Sequence, residues 1–228
     1  MNIAIIPARV GSKRIPKKNI KIFCGKPIIA LTIKNLIDSN CFDRIIVSTD
    51  SDEIKDIATK AGAEVPFKRP EDLSDDFTPT LPVIQHAINE LNLQKSDSKI
   101  CCVYATAPFL KSNYLIEGLE LLKLNDKNFV FSATKFPSNV ERGFYVNHEN
   151  ISIIDEVGQR KRSQDIKEIW YDAGQFYWGT TSSWLSNKEI VSNDSKIINI
   201  PRKFTCDIDT PEDWDFAEIL YKAMFLIK

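Results

Sequence analysis

Met1-Asn-Ile-Ala-Ile-Ile-Pro-Ala-Arg-Val-Gly-Ser-Lys-Arg-Ile-Pro-Lys-Lys-Asn19 is the stretch that decides the fold. Asn2 to Ala8 is a short apolar run carrying Ile3, Ile5 and Ile6, long enough for one buried strand and too short to span a membrane. Arg9, Gly11, Ser12, Lys13, Arg14, Lys17 and Lys18 follow at once. A buried first strand that empties into a small-residue basic loop is how α/β proteins hold a phosphate at the carboxyl edge of the sheet. Gly11 and Ser12 let backbone approach an oxyanion, and Lys13 is near enough to reach its charge. The same residues would also suit a solvated basic turn. The loop is not a Walker A site, because Gly11-Ser12-Lys13 runs straight into Arg14, and Gly11 has no partner glycines for a dinucleotide fingerprint.

Beyond this stretch the chain alternates. Pro27 to Ile37 has helical periodicity, and Arg44 to Thr49 reads as a second buried strand. Asp50 is placed to cap the next helix, with Glu53 completing a capping box. Val65 to Lys68 reads as a short strand, and Thr80 as the cap of a helix running to about Leu91. Ile100 to Tyr104 and Phe129 to Ala133 are further strands around a helix from Asn113 to Leu124. This alternation predicts an α/β domain, a mainly parallel sheet with helices on both faces. From Lys135 to Gln164 the pattern gives way to short alternating pieces, Phe144 to Val146 and Ile151 to Ile154, broken by Pro137, Gly143 and Gly158. That segment is expected to be an inserted hairpin-like arm, with too few apolar residues for a core of its own.

At 228 residues the chain is most simply one domain, 1–228, large enough for a core. Thirty basic residues nearly balance thirty-one acidic ones, which removes the basic field expected of a nucleic-acid or membrane-surface partner. No signal peptide is expected ahead of the first strand. The cysteines (Cys24, Cys41, Cys101, Cys102 and Cys206) have no C-x-x-C spacing, so neither a zinc site nor a disulfide framework is expected, and a cytoplasmic location is. The two histidines, His86 and His148, lie in no motif, so histidine base catalysis is not expected.

Near the carboxyl end, Cys206-Asp207-Ile208-Asp209-Thr210 places two carboxylates two residues apart. In a strand they would share a face, and two such carboxylates repel unless a cation lies between them. Hard oxygen ligands that share substrate phosphates suit Mg²⁺. Thr210, Pro211 and Asp213 form a helix start, so capping accounts for Thr210 and leaves Asp207 and Asp209 free. Lys68 to Thr80, bracketed by Pro70 and Pro79, is a loop rich in hydrogen-bonding side chains. Tyr104-Ala105-Thr106-Ala107-Pro108-Phe109 leaves the end of a predicted parallel strand, the edge at which such sheets bind ligands. Tyr171 to Gly179 alternates aromatic and polar residues, with Phe176 and Trp178 reading by default as one face of an amphipathic strand.

Taken together these motifs resemble the cytidylyltransferases that activate nine-carbon acidic sugars. Ala8-Arg9-Val10-Gly11-Ser12-Lys13-Arg14-Ile15-Pro16-Lys17-Lys18-Asn19 is similar to their A-R-x-G-S-K signature, with Val10 where a second glycine is usual. Asp172-Ala-Gly-Gln-Phe-Tyr-Trp-Gly179, with Cys24-Gly-Lys-Pro-Ile28 and Thr80-x-Pro-Val-Ile84, resembles the pseudaminic acid branch more than the sialic acid branch. Ala105 and Tyr171 depart from the usual proline and histidine. The resemblance runs from Met1 to about Asp213.

It implies a three-layer fold of the nucleotide-diphospho-sugar transferase kind, CTP and a nonulosonic acid as substrates, Mg²⁺ as cofactor, and a homodimer formed through the arm. It also implies a role in glycan modification, of flagellin or a surface polysaccharide. Arg9, Lys13 and Asp209 would be catalytic. Ala8, Gly11, Ser12, Asn19, Arg69, Thr78 and Thr80 would join them around the nucleotide, with Arg69 on the cytosine edge. Tyr104, Thr106, Arg162, Gln164, Gln175, Phe176 and Tyr177 would meet the sugar, and Asp207 and Asp209 the metal. Two other readings stay open: another CMP-nonulosonate synthetase, and a nucleotide-binding regulatory module without catalysis.

Overall fold

The computed structural model describes residues 1–124 and 128–226. β1 (Asn2–Pro7) enters the basic loop, which turns through a hairpin of β2 (Ile22–Phe23) and β3 (Lys26–Pro27) into α1 (Ile28–Asp38). The hairpin turn is Cys24-Gly25, both at positive φ (46° and 87°), the backbone of the tight two-residue turn that matches strand twist. β4 (Arg44–Ser48), α2 (Asp52–Lys60) and α3 (Thr80–Glu90) follow, then β5 (Lys99–Val103), α4 (Ser112–Leu124) and β6 (Phe129–Lys135). The arm holds β7 (Phe144–Asn147), β8 (Asn150–Ile153) and α5 (Glu156–Arg160). The chain closes through β9 (Trp170–Thr180), α6 (Thr181–Leu185), β10 (Ser195–Asn199) and α7 (Pro211–Tyr221).

The central sheet has the order β10-β6-β9-β5-β1-β4. β9 alone runs antiparallel, against both β5 and β6, and the other pairs are parallel. Alternation along the strands sorts the core into two layers. Ala4, Ile6, Val47, Cys101 and Trp178 pack with α1, α2 and α4; Ile3, Ile5, Ile46, Cys102 and Tyr177 pack with α3 and α6. The adjacent Cys101 and Cys102 therefore face opposite layers, and all five thiols are free. Burial pushes Cys41 and Cys206 up to about 11, so both stay protonated at neutral pH. A smaller cluster buries Trp214 of α7 edge-on against Phe23 at 5.4 Å, which seats the segment ahead of α7 over the basic loop.

Several local expectations are corrected. Ser51, not Asp50, caps α2 by accepting from Ile54 N–H, because the Asp50 carboxylate is drawn across to accept from Val10 N–H at 3.1 Å. Val65 to Lys68 forms no strand; only Glu64 bridges Ile46 at the sheet edge. Pro79 occupies the cap position of α3, and the Thr80 hydroxyl instead meets Tyr104 Oη at 2.9 Å. Asp207 and Asp209 lie on irregular backbone outside any strand. The arm forms its hairpin, and the apolar side chains of both its strands are exposed.

Candidate active site

Five of the six strands end at one edge of the sheet, and the main pocket opens there, about 610 Å³ in volume. Its walls come from the basic loop after β1, the loop before α3, the end of β5, and the segment before α7. The basic loop is held in shape by local contacts. Asn19 Nδ2 donates to Arg9 O at 2.8 Å, and Ile15 is a buried plug at 1 % exposure. Val10 keeps a negative φ, since it is not among the described non-glycine residues at positive φ, so the missing second glycine costs the loop nothing.

Arg9 and Lys13 converge on one carboxylate. Arg9 Nη1 lies 2.6 Å from Asp76 Oδ1, and Lys13 Nζ lies 2.5 Å from Asp76 Oδ2. These hydrogen bonds hold the Asp76 carboxyl below the usual carboxylate range. Across the pocket, Asp209 Oδ1 lies 3.0 Å from Arg14 Nη2 in an ion pair and accepts from Lys18 Nζ at 3.2 Å; Lys18 also reaches Ile208 O at 2.7 Å. Among the described residues, Asp207 has no hydrogen-bond donor on its carboxylate. The packing around it, then the charge of Asp209, push its pKa up, although it lines an open pocket. That unbalanced negative charge beside a second carboxylate fits an oxygen-seeking divalent cation. Among the described residues no set of three acidic, histidine or cysteine side chains is grouped for a metal, so water or substrate oxygens would complete such a shell. Thr210 and Asp213 form the reciprocal cap of α7, as the sequence suggests.

Arg69 forms part of the opposite wall at 3 % exposure. Its Nε donates to Ser74 Oγ at 3.1 Å, while its buried Nη2 has no hydrogen-bond partner and stands 3.9 Å from Asp50. Thr78, Thr80, Ser12, Asn19, Tyr104 and Thr106 also line the pocket. The Thr78 hydroxyl is spent within its own loop, on Asp75 Oδ1 at 2.7 Å.

Other expected site residues lie elsewhere. Ala8 and Phe176 are core side chains, and Gly11 is exposed outside the pocket wall. Gln175 is buried with its Nε2 on Phe204 O at 2.5 Å, and Tyr177 is buried with its hydroxyl on Asp172 at 2.7 Å. The cause is a bulge. Phe131 pairs with Tyr177 and Ala133 with Asp172, so four residues of β9 face Ser132 alone. Ser132 Oγ accepts the freed N–H groups of Gln175 and Phe176, and Gly174 turns at φ 63°. The bulge sends Gln175 inward and brings the Gly174 backbone beside Asp207. Arg162 and Gln164 are exposed on the arm, outside this pocket. Sequence reading missed Arg14, Lys18 and Asp76. Arg14 and Lys18 sat within the quoted basic loop, but only the fold shows that they turn toward Asp209 while Arg9 and Lys13 turn away from it.

A pocket at the carboxyl edge of a parallel sheet, with a basic cradle facing an acidic pair, is the arrangement of nucleotide-transferring enzymes. The chain belongs to the cytidylyltransferase family, whose sequence profile, described as Cytidylyltransferase, matches residues 3–227. It is 45% identical over 224 residues to the pseudaminic acid cytidylyltransferase of Campylobacter jejuni subsp. jejuni, covering 97% of each chain. It is also 33% identical over 230 residues to the CMP-N,N'-diacetyllegionaminic acid synthase of Legionella pneumophila, covering 96% of this chain and 95% of that one. Among solved structures, a CMP:2-keto-3-deoxy-manno-octonic acid synthetase complexed with CTP superposes with a TM-score of 0.72 at 14% identity, over 97% of this chain and 98% of that one. That likeness is one of fold.

Proposed function

We propose that this enzyme joins CTP and pseudaminic acid to give CMP-pseudaminic acid and pyrophosphate. The observation that carries the reading is the convergence of Arg9 and Lys13 on a single anion position at the sheet edge. The full-length similarity to the Campylobacter enzyme supports the choice of sugar. In this reading the triphosphate takes the cations now held by Asp76, and the Arg69 Nη2, which has no hydrogen-bond partner, supplies a buried donor for a carbonyl or ring nitrogen of the base. The anomeric hydroxyl attacks the α-phosphorus in line. A P–O bond forms to the sugar, the bond to the β-phosphate oxygen breaks, and the hydroxyl proton leaves to solvent. Arg9 and Lys13 stabilise charge building on the departing pyrophosphate. Asp207 and Asp209 would hold Mg²⁺, which lowers the pKa of an attacking hydroxyl and draws charge off the phosphate. Asp209 would first give up Arg14 and Lys18 as partners, freeing both cations to face phosphate oxygens.

The enzyme is further proposed to act in the cytoplasm as a homodimer, with Arg162 and Gln164 of the arm serving a neighbouring site, and to supply activated sugar for glycan modification. Incubation with CTP, Mg²⁺ and a panel of pseudaminic, legionaminic and sialic acids, read as pyrophosphate release, tests the substrate. Pseudaminic acid is expected to give the highest kcat/KM. Preference for a different sugar moves the enzyme to another branch, and no release with any sugar favours a non-catalytic nucleotide-binding module. Asp207→Asn and Asp209→Asn are each expected to raise the Mg²⁺ concentration needed for half-maximal rate, Asp209→Asn more severely. Unchanged Mg²⁺ dependence in both would remove the metal from this site.

A further inference from the structure

Asp76 takes two cations, one on each carboxylate oxygen. A phosphate group would bridge Arg9 and Lys13 in the same way, through two oxygens of one anion. Asp76 side-chain exposure is 23%, that of Arg9 30% and that of Lys13 81%, so this contact sits at the solvent-facing mouth of the pocket that all three residues line. The loop that carries Asp76 is tied to its surroundings at its base and closed on itself at its tip. At the base, Arg69 N–H donates to Thr49 O at 2.8 Å and Ser74 Oγ donates to Pro70 O at 2.9 Å. At the tip, Asp75 closes a turn of its own with Phe77 N–H and Thr78 N–H. Among the described residues, the hydrogen bonds and ion pairs that tie residues 75–77 to anything outside the loop are those of Asp76. Phe77, its neighbour, is 88% exposed and anchors nothing.

We infer that Asp76 is an internal competitor for the polyphosphate subsite: its carboxylate satisfies Arg9 and Lys13 in the empty pocket and is displaced when a triphosphate arrives. The inference rests on the reading of Arg9 and Lys13 as phosphate-binding groups. It gives the carboxylate two effects. The two cations are held together and oriented without a ligand, which spares the cost of gathering like charges. Every anion that enters must first break two ion pairs, so affinity for triphosphate and for the pyrophosphate product is set below what the cations alone would give. Asp76 thereby tunes the substrate affinity of the site without touching the reacting atoms.

The test is calorimetric titration of the full chain with CTP plus Mg²⁺ and, separately, with inorganic tripolyphosphate. Asp76→Asn is compared with Asp72→Asn, which removes the same charge from the same loop but not from Arg9 and Lys13. Asp76→Asn is expected to bind both probes roughly three- to tenfold more tightly, the range expected from releasing two partly exposed ion pairs. Asp72→Asn is expected to leave both within about twofold. Asp76→Ser, which cannot mimic the carboxylate, repeats the measurement if the asparagine variant is poorly folded. Unchanged or weaker binding in the Asp76 variants overturns the inference, and so does equal tightening in Asp72→Asn, which would reduce the effect to net charge. If tripolyphosphate follows the expected pattern while CTP binds to none of the proteins, the competitor stands and the proposed nucleotide function falls.

Discussion

Residues 9–19 and residues 136–169 both leave the carboxyl edge of the same sheet, and they settle against it by different physics. The basic loop balances its charges within the chain: Arg9 and Lys13 on Asp76, Arg14 and Lys18 on Asp209, Lys17 on Glu53 at 2.6 Å. Ile15 plugs it into the small core around Trp214. The arm has no such closure. Its cross-strand pair Val146 and Ile151 is 66% and 62% exposed, and Phe144, Tyr145 and Ile153 are exposed beside it. An isolated two-stranded hairpin is marginal in water, and contiguous apolar surface of this kind marks an interaction face. Loop charges exchange partners at small cost because water and a ligand can replace them. The arm's surface is satisfied only by another surface.

Removing one charge from the loop is therefore expected to leave folding alone and to disable the chemistry. Lys13→Ala should lower kcat by about 10²- to 10³-fold, the usual cost of losing one donor that stabilises developing charge. Lys13 side-chain exposure is 81%, so the folded state should lose less than about 0.5 kcal/mol. Pyrophosphate release and a thermal melt measured on one preparation check both halves. Near-normal turnover would reduce the loop to a solvated basic turn.

The arm should respond in the opposite sense. Val146→Ser with Ile151→Ser removes the central apolar pair of the hairpin without touching the pocket. A dimer held by this surface is expected to weaken at least about tenfold in Kd, since truncating a central apolar anchor commonly costs more than 1 kcal/mol. Sedimentation across a concentration series reads the shift. A chain that is monomeric and fully active before the substitution would end the account of the arm as an interface.

What was legible in the sequence follows the same division. The strand-then-basic-loop signal at Ile3 to Lys18 is local, because hydrophobic run, glycine and charge all sit within one turn of chain. The alternation that gives the sheet and the cap at Thr210 to Asp213 are local in the same way. Asp50 and Thr80 were misassigned as caps because each finds a better partner about forty and twenty-four residues away, Val10 and Tyr104. The β9 segment misled for a related reason. Its aromatic-polar alternation is read correctly as a strand, but the four-residue bulge opposite Ser132 shifts which side chains face the pocket, and Gln175, Phe176 and Tyr177 turn to the core. The pairing of Arg9 and Lys13 with Asp76 joins segments more than sixty residues apart, a relation that no spacing rule contains.

The smallest expected effect separates the acidic side of the pocket from the basic side. Burial and the neighbouring charge of Asp209 raise the folded-state pKa of Asp207 above its value in an unfolded chain. The folded protein thus favours the protonated form. The stability this lends is fully present below the unfolded pKa of about 3.9 and is lost as pH rises through the folded value. At neutral pH the metal-free protein carries the full cost of an ionised Asp207. Asp207→Asn removes that cost while keeping the shape of the side chain. After allowance for solvent screening the variant is expected to gain a little stability at neutral pH, read as a higher Tm. The difference should shrink as pH falls and vanish only below the unfolded pKa of about 3.9, where the carboxyl is protonated in both states. Added Mg²⁺ should raise the Tm of the natural protein and leave that of the variant nearly unmoved, because a bound cation stabilises only the state that holds it. The melts are run with chelator and with Mg²⁺ at several pH values. A Tm that falls in the metal-free variant at neutral pH would show that the Asp207 carboxylate is a structural partner rather than an unbalanced charge waiting for a cation.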